Sequence, residues 1–219
     1  IAAGQGGLIA RRQALEAGMG PDVIGRRLRA GRWVRVHAGV YRVSPGPLTA
    51  HGRLWAALLY AGSGAVASHQ TAAWLDGFGH EPAVIDVMIP EPRRVRPVPG
   101  VRIHRRRDLL RRHPARVPPR TRVEDTVLDL VEHAGYLDDI VAVVTWACRE
   151  RLTTAERIAA TAASRKKLCH RWDLEAVLAE VRDGVHAVLE HRYLNRVERA
   201  HALPVGLRQI GVRRGRRTE

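Results

Sequence analysis

Cysteine is almost missing: Cys148 and Cys169 are the whole complement, too isolated for a disulfide framework or a Cys-x-x-Cys zinc site. A reducing cytoplasm is the expected compartment. Aromatic residues make up 5% of the chain, with a single phenylalanine. No run approaches the ~18 consecutive apolar residues of a membrane span, so no membrane partner is expected. Ile1-Ala2-Ala3-Gly4 lacks the charged and apolar regions of a signal peptide. The chain opens on Ile1 rather than Met and stops at Arg217-Thr218-Glu219, inside what reads as a strand pair, so both ends are expected to be cut. Nucleotide-enzyme signatures are also missing. There is no Walker loop and no Gly-x-Gly-x-x-Gly, Gly4 to Gly7 is only glycine-rich, and Ser63 and Ser68 have no nucleophile-elbow context. His186 and His191 stand five apart on a helical segment, a poor match to one face, so no metal site is assigned and no cofactor is expected.

What the chain has in excess is positive charge. Lysine plus arginine number 37 against 22 acids, a formal net charge of +15 over 219 residues. Nearly all of it is arginine, whose planar fork suits phosphates and guanine edges better than lysine does. That excess favours a polyanionic partner, and the motif that spans Leu8 to Val43 makes double-stranded DNA the expected one. The length allows one large or two to three small domains with a real core.

The most informative stretch runs from Leu8 to Val43. A short helix from Arg11 to Ala17 is followed by the turn Gly18-Met19-Gly20 and a second helix opened by Pro21-Asp22. Proline is at home there, because its missing N–H would be unpaired in the first turn anyway. Steps of 100° put Ile24 and Leu28 on one side of this helix and Asp22, Arg26 and Arg29 on the other. Gly31 stops it. Trp33 to Val43 then reads as strand, three-residue turn His37-Ala38-Gly39 and returning strand. This order is that of a winged helix-turn-helix, whose second helix enters the major groove while a basic hairpin reaches phosphates or the neighbouring minor groove. Asp22, Arg26 and Arg29 are assigned to base edges. Arg11, Arg12, Arg27, Arg32, Arg35, His37 and Arg42 complete the assigned DNA-binding set, on phosphates or the minor groove.

After the linker Ser44-Pro45-Gly46-Pro47, Thr49 caps a helix carrying Leu54, Leu58 and Leu59, and Ser68 caps another running to Leu75. His69 and Gln70 lie near its start, where side chains either touch a ligand or stand exposed. Val84 to Ile89 and Val101 to His104 read as strands. The basic loop Arg93 to Pro97 and the exit Arg105-Arg106-Arg107 form a second positive patch, either an extension of the nucleic-acid footprint or a solvated sheet rim. From Thr121 the chain turns helical. Thr121 with Glu124, and Thr153 with Glu156, match the capping box. Val123, Val127, Leu130, Val131 and Ala134 form one buried stripe. Leu137, Ile140, Val141, Val144 and Cys148 form another, which makes Cys148 a core residue rather than a nucleophile. Asp173 opens a helix with Leu174, Val177, Leu178 and Val181 inward, and Gly184 precedes a long helix from Val185 to Ala200. The class is α+β: a winged helix-turn-helix over 1–46, a mixed helical domain with a small sheet over 47–183, and a truncated α/β element over 184–219.

Gly7-Leu8-Ile9, Gln13-Ala14-Leu15, Gly31-Arg32-Trp33 and Val36-His37-Ala38-Gly39-Val40-Tyr41 together resemble the N-terminal winged domain of the AbiEi-like antitoxins of type IV toxin–antitoxin systems. The similarity continues through Ser68 to Ala73, Val101 to Arg105 and Arg122 to Leu130. It implies a cytoplasmic DNA-binding repressor of its own operon, acting commonly at inverted repeats. It would counter a nucleotidyltransferase-like toxin without holding it in a stable complex. The tail, Val188 to Leu194 with Leu203-Pro204 and Gln209, is similar to the opening of an endonuclease fold related to very-short-patch repair enzymes. Glu190 matches that fold's first glutamate, but the aspartate and the later Glu-x-Asp or Glu-x-Lys element would lie beyond Glu219. One carboxylate cannot hold a hard divalent ion for phosphodiester cleavage. No catalytic residue is therefore assigned, and these residues are not expected to cleave DNA by themselves. The alternatives to the repressor are a fragment of a metal-dependent endonuclease delivered by its winged domain and a protein-binding module with no DNA role. A flat gel shift at low salt would favour the last.

Overall fold

The computed structural model describes residues 1–107 and 116–182, and over these the chain is α+β. A 3-10 turn, Ala2–Gln5, leads into β1 (Leu8–Ala10), α1 (Arg11–Glu16), α2 (Pro21–Arg29), β2 (Val34–His37) and β3 (Val40–Arg42). The three strands form an antiparallel sheet in the order β1-β3-β2. Between the helices, Gly18 N donates to Leu15 O at 2.9 Å and Met19 N to Ala14 O at 3.0 Å. Gly18 itself sits at φ 82. This is the Schellman closure, in which a left-handed residue just past the helix lets the next two amides satisfy its last carbonyls. The hairpin differs from the expected three-residue loop. His37 pairs with Val40, so only Ala38 and Gly39 make the turn, and the register slips between Arg35 and His37. A bulge at Val36 absorbs the residue that the shorter loop leaves over.

α3 (Ala50–Ala61) is apolar on almost every side, because it packs on two sheets at once. Ala56 and Leu59 meet Leu8, Ala10 and Val40 of the first sheet. Leu54, Ala57, Leu58 and Ala61 meet Ile85, Val87 and Ile89 of the second. Thr49 caps α3 as expected, its Oγ1 accepting from Gly52 N at 3.0 Å. The core of the first unit is thus completed from beyond residue 46. The second sheet runs β4 (Val66–Ala67), β5 (Ile85–Pro90), β6 (Val101–Arg106), with β4-β5 antiparallel and β5-β6 parallel. α4 (His69–Asp76) lies between β4 and β5 in the chain.

α5 (Val123–Glu132), α6 (Leu137–Arg149), α7 (Ala155–Ala163) and α8 (Arg171–Arg182) pack around Val127, Leu128, Val144, Ile158 and Leu174. Cys148 lies partly buried against this cluster, and burial pushes its thiol pKa up, which suits a packing role. The capping boxes are not built as expected. Thr121 lies one residue before the α5 cap and its hydroxyl bonds Thr126, while Glu124 turns inward to accept from Thr153 Oγ1 at 2.8 Å. Thr154, not Thr153, caps α7. A buried acceptor for the Thr153 hydroxyl outcompetes a helix-end bond that water can replace.

The polar side of α5 is buried too. Asp129 accepts from Arg106 at 3.0 Å and from Arg165 at 2.9 Å, joining β6 to the helical bundle. Asp76, at the end of α4, accepts from Arg120 Nε at 2.8 Å and from Arg116. The residues expected to form a long helix from 185 to 200 and a strand from 207 to 212 lie outside the described residues.

Candidate functional site

Two places on the molecule gather chemistry. The first is the outer face of α2 with the adjoining hairpin. Ile24 anchors α2 in a small core with Ile9, Ala14, Trp33 and Tyr41. Asp22, Arg26, Arg27 and Arg29 on the same helix are exposed. Asp22 in the first turn and the three arginines in the last suit the helix dipole, so this charge pattern also helps hold the helix. Arg27 lies over the Trp33 ring at 5.2 Å, which fixes its stem against the core. Arg32 and Arg35 extend the exposed row along the chain into β2. Arg11 N donates to Gly39 O at 2.7 Å, so the hairpin tip is tied to the start of α1 and Arg11 joins the same neighbourhood.

The other assigned residues are engaged with the protein. Arg12 reaches the Leu59 carbonyl at 3.4 Å, and Arg42 donates to the Gly46 carbonyl while lying half-buried. His37 sits against the Tyr60 ring, centroids 5.2 Å apart, and burial lowers its pKa. It is therefore a neutral packing residue near neutral pH. The free guanidiniums of this face are those of Arg11, Arg26, Arg29, Arg32 and Arg35: among the described residues none has an acidic partner. In the second basic patch part of the charge is neutralised. Arg102 pairs with Asp86, Arg106 with Asp129 and Arg107 with Glu91, which leaves Arg94, Arg96 and Arg105 facing solvent.

The second place was not assigned from sequence. His69 opens α4, His104 is on β6 and His133 ends α5, and together they border a cleft of about 530 Å³. The His69 and His104 rings stack with centroids 3.7 Å apart, and His133 stands edge-on at 4.9 Å from His69. Each ring is held by one nitrogen. His104 Nε2 donates to Asp86 Oδ1 at 2.8 Å, and His133 Nδ1 donates to the Asp129 carbonyl at 2.9 Å. His69 Nδ1 lies 3.0 Å from Ser68 Oγ. That contact replaces the expected N-cap, since the Ser68 side chain makes no cap bond. His69 is buried rather than exposed, with a positive φ of 48. Its pKa is lowered to about 2, first by burial and then by His104, His133, Arg106 and Arg102. His69 is thus neutral at any physiological pH, and its left-handed backbone costs of order 1–3 kcal/mol, which the surrounding packing offsets.

Nothing local in the sequence could have revealed this cluster. The three histidines come from a helix start, a strand and a helix end, and only the packing of α4 and α5 against the second sheet unites them. The one sequence signal was the place of His69 near a helix start, read as either touching a ligand or standing exposed. Glu190, the one carboxylate of the suggested endonuclease element, lies outside the described residues. No protein-family model and no curated protein matches this sequence.

Proposed function

We propose that the chain is a sequence-specific double-stranded DNA-binding protein, a transcriptional repressor of antitoxin type whose first 46 residues form a winged helix-turn-helix. The observation that carries the reading is the α2 face. Asp22, Arg26 and Arg29 project outward from a helix anchored by Ile24, and Arg35 stands unpaired on the adjoining hairpin. A helix of that width fits the major groove, and the core that Ile24 shares with Trp33 and Tyr41 supports reading the β2-β3 hairpin as its wing. Arg26 and Arg29 contact guanine edges, Asp22 accepts from a base amino group, and Arg11, Arg32 and Arg35 contact phosphates. Arg12 and Arg27 stand exposed beside these residues, while the half-buried His37 and Arg42 brace the hairpin. The regulated operon encodes a nucleotidyltransferase-like toxin, which the protein counters without holding it in a stable complex.

The test is selection of bound duplexes from a random pool, followed by anisotropy titrations on the selected and a scrambled duplex. Arg26→Ala costs ~1–3 kcal/mol on the selected duplex and little on the scrambled one, whereas Arg35→Ala weakens both alike and lowers the salt slope by about 1. Equal losses on the two duplexes for Arg26→Ala would remove it from base readout.

A further inference from the structure

We propose that His69, His104 and His133 form a binding site for a divalent transition-metal ion of the zinc class, with its remaining coordination position open to the adjoining cleft. One ring nitrogen from each histidine lies within 4.8 Å of the others. The hydrogen bonds determine which nitrogens are available. A carboxylate and a carbonyl only accept, so His104 carries its proton on Nε2 and His133 on Nδ1, leaving Nδ1 of the first and Nε2 of the second with free lone pairs. The Ser68 hydroxyl can accept from His69 Nδ1, and in that tautomer, the one the site requires, His69 keeps the Nε2 lone pair. No protein atom among the described residues bonds the second nitrogen of any of the three rings.

The second shell is of the kind metal-ligating imidazoles use. The buried Asp86 carboxylate holds His104 and itself receives Arg102 at 3.4 Å, while Asp86 N donates to Thr71 Oγ1 at 2.8 Å. A carboxylate behind a histidine fixes the ring and raises its basicity toward a metal. The left-handed backbone at His69 is a separate indication, because strain of this kind persists where the surroundings demand one side-chain position. Ligation fans the stacked His69 and His104 rings apart by rotation about their Cβ–Cγ bonds, a soft two-fold torsion. Three imidazoles with no thiolate suit zinc, nickel or cobalt, and three protein ligands leave a fourth position for water. That position faces a cleft lined by Gln70, Arg102, Asp139 and Trp146. A bound ion would tie α4 and β6 to α5, the junction between the second sheet and the helical bundle.

The experiment uses the full chain without an affinity tag, stripped with chelator and dialysed against zinc alone, with bound metal counted by mass spectrometry. A single zinc ion per chain is expected, together with a rise in melting temperature that chelator reverses. The Co²⁺ form should show the intense visible d–d absorption of tetrahedral coordination. His133 is exposed, so His133→Ala preserves the fold and is expected to lose the zinc and the thermal shift. The isosteric Asp86→Asn weakens zinc binding by about 10–100-fold while leaving all three ligands in place. Failure of the stripped chain to bind zinc overturns the proposal. So does zinc binding that His133→Ala leaves undiminished, since the ion would then sit elsewhere.

Discussion

Buried carboxylates decide much at the scale of single residues. Asp76 is buried and neutralises Arg120, itself buried, whereas Glu81 meets Arg53 on an exposed surface. Removing one partner of a buried pair leaves an uncompensated charge, which costs about 3–5 kcal/mol, while an exposed pair contributes ~0–1 kcal/mol. Asp76→Ala should therefore lower the urea midpoint severely and Glu81→Ala barely, and comparable small losses would contradict the assignment. Single residues were also where sequence reading was weakest. Thr121 and Glu124 have the spacing of a capping box, but spacing cannot reveal that Thr153 waits across the bundle for Glu124. Spacing also did not reveal that Arg42 donates to the Gly46 carbonyl or that His37 lies against the Tyr60 ring. The three histidines of the cleft could not be joined by any spacing rule.

Elements were more legible, because periodicity and punctuation act locally. Pro21 marks the first residue of α2, Ile24 and Leu28 face inward, and Thr49 caps α3. The stripes along α5, α6 and α8 face the bundle core. What stayed hidden was pairing. β5 and β6 run parallel because residues 91–100 carry the chain back to the starting end of the sheet, which no strand pattern encodes. The turn between α1 and α2 offers a test of opposite signs. Gly18 sits at φ 82 with open space around it, so an added Cβ brings only backbone strain. Gly18→Ala should destabilise the fold by about 1–2 kcal/mol. Gly25 lies inside α2, where an added Cβ meets only the flexible Arg29 side chain. Gly25→Ala should stabilise by about 0.5–1 kcal/mol. Chemical denaturation of both variants checks the pair, and a shared sign would contradict the left-handed cap.

At the scale of the molecule, α3 ties the first unit to the rest: one face of it closes the first sheet and the other closes the second. The α2 face is therefore carried on a buttressed frame, and rigid support of this kind favours precise contacts with a partner. No helix among the described residues is long and apolar enough to cross a membrane. With a net charge of +15, the chain should bind any polyanion at low salt, so binding alone decides little. What decides is which arginines carry it. The direct measurement is duplex DNA affinity as a function of salt for two charge-reversed chains. One carries Arg26→Glu, Arg29→Glu and Arg35→Glu, and the other carries Arg94→Glu, Arg96→Glu and Arg105→Glu. The proposed orientation predicts that the first loses specific binding and most of the salt dependence while the second keeps its sequence preference. The reverse pattern, or equal loss in both, would contradict a DNA interface built on α2 and its hairpin.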